Sequence, residues 1–359
     1  MKIVRLGEPE VVMSNPDSKH NYFGWPTVAR LQNGKIAVVA SGYRIEHVCP
    51  FGKAVIAYSE DEGKTYTPPA AVIDTVLDDR DGGIVPFGEK SVMVTSFNNT
   101  VEFQRRCTTL PYVLSYLDRV TPDEQNAVLG STFKISNDCG VTFGPLYKSP
   151  VTTPHGPIVL PDGTLLWIGR IFDPADPDRK EKECVQAYKI NPDGTSEFVG
   201  EIENVACEGY MPLSCEPHAI VLSNGTILAH IRVQAPAHGL FTIFQSESSD
   251  GGKTWTKPRQ ILPDLGGSPP HLFRHSSGML ISTYGYREMP YGIKAMFSSD
   301  EGKTWDFGHD VYVNGISADL GYPSTIELED GSLLTVFYAH LAENQPAVIA
   351  QQRWRLEQA

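Results

Sequence analysis

The chain of 359 residues has little that would build a membrane span, a disulfide framework or a nucleic-acid-binding face. No stretch approaches the roughly 20 consecutive apolar residues of a membrane helix, and the opening MKIVRLGEPEVVMSNPDS has no apolar signal-peptide core. A cytoplasmic location is therefore expected. Basic residues are in deficit: 30 Lys and Arg against 43 Asp and Glu leave a formal charge of -13, which opposes contact with phosphate backbones or anionic lipid. Neither nucleic acid nor membrane is an expected partner. The six cysteines, Cys49, Cys107, Cys139, Cys184, Cys207 and Cys215, make no CxxC pair and are too sparse for a disulfide scaffold, so reduced, mostly buried thiols are expected. No spacing of ligands announces a metal, and no cofactor is expected. Linkers, low-complexity stretches and charge blocks are missing too, which points to one closed domain over 1–359.

What is abundant is the turn. With 32 Gly and 27 Pro the chain suits many short strands better than long helices; TPDEQNAVLGS at 121–131 is at most one short helical turn or a loop. Two phrases recur. SSDGGKTW at 248–255 returns as SSDEGKTW at 298–305, and is paraphrased as SEDEGKTY at 59–66 and SNDCGVTF at 136–143. The second phrase is an alternating apolar run, a turn with glycine, and another apolar run. It begins at Pro26, Gly82, Gly156, Pro217, Pro270 and Pro323 and turns at Gly34, Gly88, Gly163, Gly225, Gly278 and Gly331. Each is a hairpin signal, and the turns are about 53 to 75 residues apart, near the length of one four-stranded propeller blade with its loops. The fold class expected is all-β: a six-bladed β-propeller of four-stranded antiparallel blades. The S-x-D-x-G-x-T phrase falls in the second hairpin of blades one, two, four and five, is degenerate in blade three (KINPDGTSE) and is missing from blade six. Its Ser, Asp and Gly suit a hydrogen-bonded turn, and its aromatic residue suits packing between blades.

A propeller brings the heads of its inner strands, and the ends of the strands that return beside them, to one face. The heads carry Trp25, Asp79 with Arg80 and Asp81, His155, Glu216 with His218, His271, and Asp319 with Tyr322. The returning ends carry Arg44 with Glu46 and His47, Arg170, Arg232, Tyr284 with Arg287, and Tyr338 with His340. So polar a ring beside apolar strands is what a ligand pocket needs and a packed core avoids.

On these residues the chain resembles the sialidase superfamily, six-bladed propeller glycosidases with Asp-box repeats, over nearly its whole length. CEPHAIVLSNGTILAHIR matches the phrase that carries the family's catalytic Glu and a following Arg, here Glu216 and Arg232. LGYPSTIELEDG matches the phrase of its catalytic Tyr, here Tyr322, and Arg287 answers to a further Arg. The resemblance implies a retaining exo-glycosidase acting on an acidic sugar, with Tyr322 as nucleophile, Glu216 as its base, and Arg232 and Arg287 on the substrate carboxylate. A neutral phenol suits the nucleophile's role, because a carboxylate there would meet a substrate carboxylate with repulsion of about 4 kcal/mol at 4 Å in an effective dielectric near 20. Two features depart from the family. Its R-I-P arginine is replaced in YFGWPTV by Gly24 beside Trp25, which offers a flat face to a sugar ring, and its loop Asp is replaced by Glu46 or His47 as acid/base. The other ring residues Arg44, Arg80, Asp81, His155, Arg170, His218 and His271 are expected to bind substrate, an oligosaccharide or glycoside. A lyase acting on uronates through His and Tyr, and a carbohydrate-binding propeller without catalysis, are the alternatives.

Overall fold

The computed structural model describes residues 1–171, 184–263 and 266–357. Six antiparallel sheets follow one another around an axis, each packed on the next, and the last sheet packs on the first. The fold is the six-bladed propeller. Blade one is Tyr22–Arg30, Ile36–Arg44, Lys53–Ser59 and Ala70–Ile73; blades two, four and five repeat this four-stranded plan. All six hairpin glycines take positive φ, between 56° and 87°, where a side chain is disfavoured.

Strands in the middle of a blade are covered on both faces by the neighbouring blades, which is why IAVVA at 36–40 and, apart from Thr335, LLTVFYA at 333–339 are apolar without alternation and buried throughout. Val28, Val38 and Val55 of blade one meet Ile326, Val336 and Ile349 of blade six in one cluster. Each such side chain contributes about 1.5–3 kcal/mol on burial.

Two blades depart from the plan. In blade three the inner strand is interrupted: Val151–Thr152 and Ile158–Val159 pair separately with Leu165–Ile171, and Gly156 between them has φ 79°. In blade six the outer position is taken by the N-terminal segments Lys2–Arg5 and Glu10–Met13, both paired with Val348–Glu357. That closure explains the missing phrase in blade six, since no turn leads from its third strand to its fourth.

The repeated phrase is a hydrogen-bonded turn. In blade five Ser298 Oγ donates to Asp300 (2.8 Å) and accepts from the Gly302 amide (2.8 Å), while Asp300 accepts from the Thr304 amide (2.9 Å) and hydroxyl (2.6 Å). The same pattern recurs around Asp61, Asp138 and Asp250. Aromatic residues after the turns reach neighbouring blades: Trp305 donates to Gln245 (2.8 Å) and Tyr66 to Gln351 (2.7 Å). Gly302, at φ 81°, lies so close to the preceding blade that a Cβ would stand 2.2 Å from Leu228 Cδ1. Gly302→Ala is therefore expected to cost about 2–3 kcal/mol, read from denaturant unfolding.

Helix content exceeds the sequence expectation. Between the second and third strands of blade two, Val101–Arg106, Pro111–Leu117 and Pro122–Val128 are helical, where only 121–131 had suggested a turn. They are too short for a helical period to show. Thr100 and Thr121 cap two of them, the latter with a full capping box to Glu124. Of the cysteines, Cys49, Cys184 and Cys215 are buried, Cys139 and Cys207 half-buried and Cys107 exposed, so burial holds for half rather than most.

Candidate active site

The face where the inner strands begin holds a cavity of about 310 Å³ lined by residues of all six blades. A repeated irregularity aims the side chains. The first strand of blades one, two, four and six has a register shift at its head, and the residue inside it has a left-handed backbone: Trp25 (φ 56°), Asp81 (51°), Glu216 (48°) and Tyr322 (52°). Bulges of this kind turn a side chain out of the pleat, and a non-glycine residue held there costs about 1–3 kcal/mol. Four such residues converge on one cavity. All four are followed by Pro or Gly, a signal the sequence carries in W-P, D-G, E-P and Y-P.

Tyr322 Oη donates to Glu216 Oε1 at 2.5 Å, and Arg232 Nη1 donates to Glu216 Oε2 at 2.5 Å. Burial pushes the Glu216 carboxyl up, but Arg232, the Tyr322 hydroxyl and Arg287 outweigh it and leave it below the ordinary value. Burial, with the charges of Glu216 and Asp81, holds the Tyr322 phenol well above its ordinary value. At neutral pH the pair is thus a neutral phenol donating to an ionised carboxylate. Arg232 is fixed by Gln234, which accepts from its Nε (2.9 Å) and Nη2 (2.5 Å). Arg287 donates to the Leu320 carbonyl (2.9 Å) and to Tyr338 Oη (3.2 Å).

In blade two Arg80 donates to the His47 carbonyl (2.7 Å) and to Asp78 (3.2 Å). Asp81 lines the cavity with its carboxyl raised to about 7, first by burial and then by the charge of Glu216, against the pull of Arg80. His47 lines it as well. Its Nδ1 lies 3.3 Å from Asp319 and 3.1 Å from Tyr22 Oη, and its Nε2 lies 3.3 Å from Arg80 Nη2. Burial and Arg80 lower its pKa despite Asp319, so the ring is neutral near pH 7 with both nitrogens engaged by protein. Asp319 also accepts from Tyr22 (2.8 Å), Tyr338 (3.1 Å) and His340 (3.2 Å), binding blade six to blade one.

Several sequence expectations are corrected by this geometry. Arg44 is fully buried behind the cavity, paired with Asp78 at 2.5 Å, and is no part of the lining. Glu46 does not line the cavity either, whereas His47 of the same loop does. Trp25 offers no free flat face: Arg80 sits 4.1 Å and Arg44 4.8 Å from its ring centroid, and only 1% of the residue is exposed. His155, His218 and His271, on blades three, four and five, lie deeper, in the central channel. There they line a second cavity of about 350 Å³ with Ile84, Ile158 and Ile220, running toward the hairpin glycines. His218 and His271 stack at 4.5 Å, His155 stands edge-on to both, and no group of His, Cys, Asp or Glu among the described residues is arranged to hold a metal ion. The histidines that suggested a lyase are thus apart from the Tyr322 pair. Sequence reasoning missed Gln234, Asn99, Phe103, Thr152 and Thr153 in the lining. Gln234 alone had a signal, two residues beyond Arg232 on the same strand face.

No family model matches the sequence, and no curated protein matches it. Solved structures do. A protein of unknown function from Dyadobacter fermentans aligns with a TM-score of 0.76 at 20% identity, covering 99% of each chain. The NanB sialidase of Streptococcus pneumoniae aligns with a TM-score of 0.68 at 12% identity over 98% of this chain and 71% of its own. An α-L-arabinanase of Penicillium chrysogenum, solved with arabinobiose, aligns with a TM-score of 0.64 at 16% identity over 97% of this chain and 98% of its own. At these identities the likeness is one of fold, and the chain has a sialidase-like six-bladed propeller.

Proposed function

We propose that the protein is a retaining exo-glycoside hydrolase acting on an acidic sugar, and the observation that carries this reading is the Tyr322–Glu216–Arg232 chain of hydrogen bonds at the cavity wall. Glu216 takes the phenolic proton as Tyr322 Oη attacks the anomeric carbon, the glycosidic C–O bond breaks, and a glycosyl-tyrosine forms. Water then attacks the same carbon and gives its proton to the group that protonated the leaving oxygen. Tyr322 leaves as phenolate and recovers its proton from Glu216. Among the described residues the cavity lining is basic in a chain of net charge -13: Arg80, Arg170, Arg232 and Arg287 stand against Glu216 and Asp81. A field of that sign gathers anionic ligands from solution. The four S-x-D-x-G-x-T turns are read as Asp boxes with an architectural role.

Asp81, rather than Glu46 or His47, is assigned the proton transferred to the leaving oxygen. It faces the cavity, it retains a proton up to about pH 7, and His47 is already occupied on both nitrogens. Asp81→Asn should lower turnover of an alkyl glycoside by about 10²–10⁴-fold and spare a nitrophenyl glycoside, whose leaving group needs no proton. The same acid sets the alkaline limb of the kcat/KM profile near pH 7, and that limb should disappear in the variant. Equal losses on both leaving groups would remove Asp81 from this role.

A further inference from the structure

Of the four arginines that line the cavity among the described residues, three are held by protein acceptors. Arg80 has the His47 carbonyl and Asp78, Arg232 has Glu216 and Gln234, and Arg287 has the Leu320 carbonyl and Tyr338. Arg170 differs. It stands near the end of the returning strand of blade three, opposite Thr152, and is only 5% exposed. Its Nε and Nη1 are buried without a hydrogen-bond partner among the described residues. A guanidinium out of water and without a counter-charge is costly in a folded protein, and a cavity wall is where a ligand's anion would relieve it. Oxyanions suit it, since two oxygens of a carboxylate or of a sulfate ester match the paired N–H groups of arginine.

Its place in the ring says which part of the ligand it meets. Blades follow one another around the axis, so blade three lies across the cavity from blade six and Tyr322. We propose that Arg170 anchors an oxyanion carried by the substrate away from its anomeric carbon, a uronate carboxylate or a sulfate ester. This deepens the hydrolase reading and rests on it for the orientation of the sugar. It separates Arg170 from Arg232 and Arg287, which stand beside Tyr322 and face the anomeric end.

Calorimetry with four free sugars tests it without turnover: glucuronate, glucose 6-sulfate, glucose, and N-acetylneuraminate, whose carboxylate is on the anomeric carbon. Glucuronate or the sulfate should bind at least tenfold tighter than glucose, and Arg170→Met should erase that preference; which of the two is favoured separates carboxylate from sulfate. Without ligand, the same variant should melt about 2–5 °C higher, because an unpaired buried charge has been removed. A lower melting temperature would mean that Arg170 serves the fold and would overturn the proposal. So would the lack of any preference for glucuronate or sulfate over glucose, or N-acetylneuraminate binding alone and unchanged by the substitution. None of these outcomes touches the hydrolase reading, which turnover by the Tyr322 variant decides.

Discussion

Tyr322→Phe is expected to lower kcat on a cleaved glycoside by about 10³-fold or more, with little change in KM. The substitution removes one oxygen, the atom that would bond to the anomeric carbon, and leaves a ring of nearly the same volume at a strained position that Phe occupies as Tyr does. Glu216→Gln should cost about as much, because the amide cannot take the phenolic proton and leaves Arg232 facing a neutral group. Since phenol and carboxylate act as one unit, the double variant should lose little more than either single one. Additive losses in the steady-state rates would show that the two residues act in separate steps. Full activity of the Tyr322→Phe protein would end the reading outright.

Stability should fall steeply on acidification, from groups away from the catalytic pair. His155, His218, His230 and His271 are buried neutral, with His218 lowered to about 4, His230 to about 3, and the other two held well below the ordinary value by burial and neighbouring imidazoles. The unfolded chain takes up these protons below about pH 6.5 and the folded chain does not, so stability is lost as pH falls through that value. Asp79 and Asp81 oppose this. Burial raises both to about 7, and they bind protons in the folded state that unfolded carboxylates refuse until about pH 4. The balance is about two extra protons on the unfolded chain, or about 3 kcal/mol per pH unit. Between pH 6.5 and 5, with the unfolded imidazoles only half protonated at the start, that removes about 3 kcal/mol, a large share of the 5–15 kcal/mol typical of folded proteins. A fall in Tm of about 4 °C over this interval is expected by calorimetry; a flat Tm would mean that the buried imidazoles accept protons in the folded state.

What the sequence discloses here is what short segments determine. The hairpin glycines and the S-x-D-x-G-x-T turns can be read directly because each conformation is set within a few residues, as the bonds from Ser298 to Thr304 illustrate. Tyr322 and Glu216 are found through their phrases, and the structure puts their side chains in hydrogen-bond contact across 106 positions. The closure of blade six is different: Lys2–Arg5 pairs with the opposite end of the chain, and nothing local in KIVR names that partner. Register is the other blind spot. One bulge decides that Glu216 faces the cavity while His218 turns into the channel, and the same uncertainty misplaced His155 and His271. Arg44 and Arg170 look alike from sequence, each near the end of a returning strand. Asp78 neutralises the first, and no described residue does so for the second.

The stereochemistry of the first product tests the central claim most directly. Proton NMR of the first anomer released from aryl glycosides of sialic acid, 3-deoxy-octulosonate, uronic acids and neutral sugars would read it within minutes of mixing. A retained anomer from an acidic sugar, lost with Tyr322→Phe, is the result expected of a glycosyl-tyrosine intermediate. An inverted anomer, or no turnover of any acidic glycoside, would contradict it.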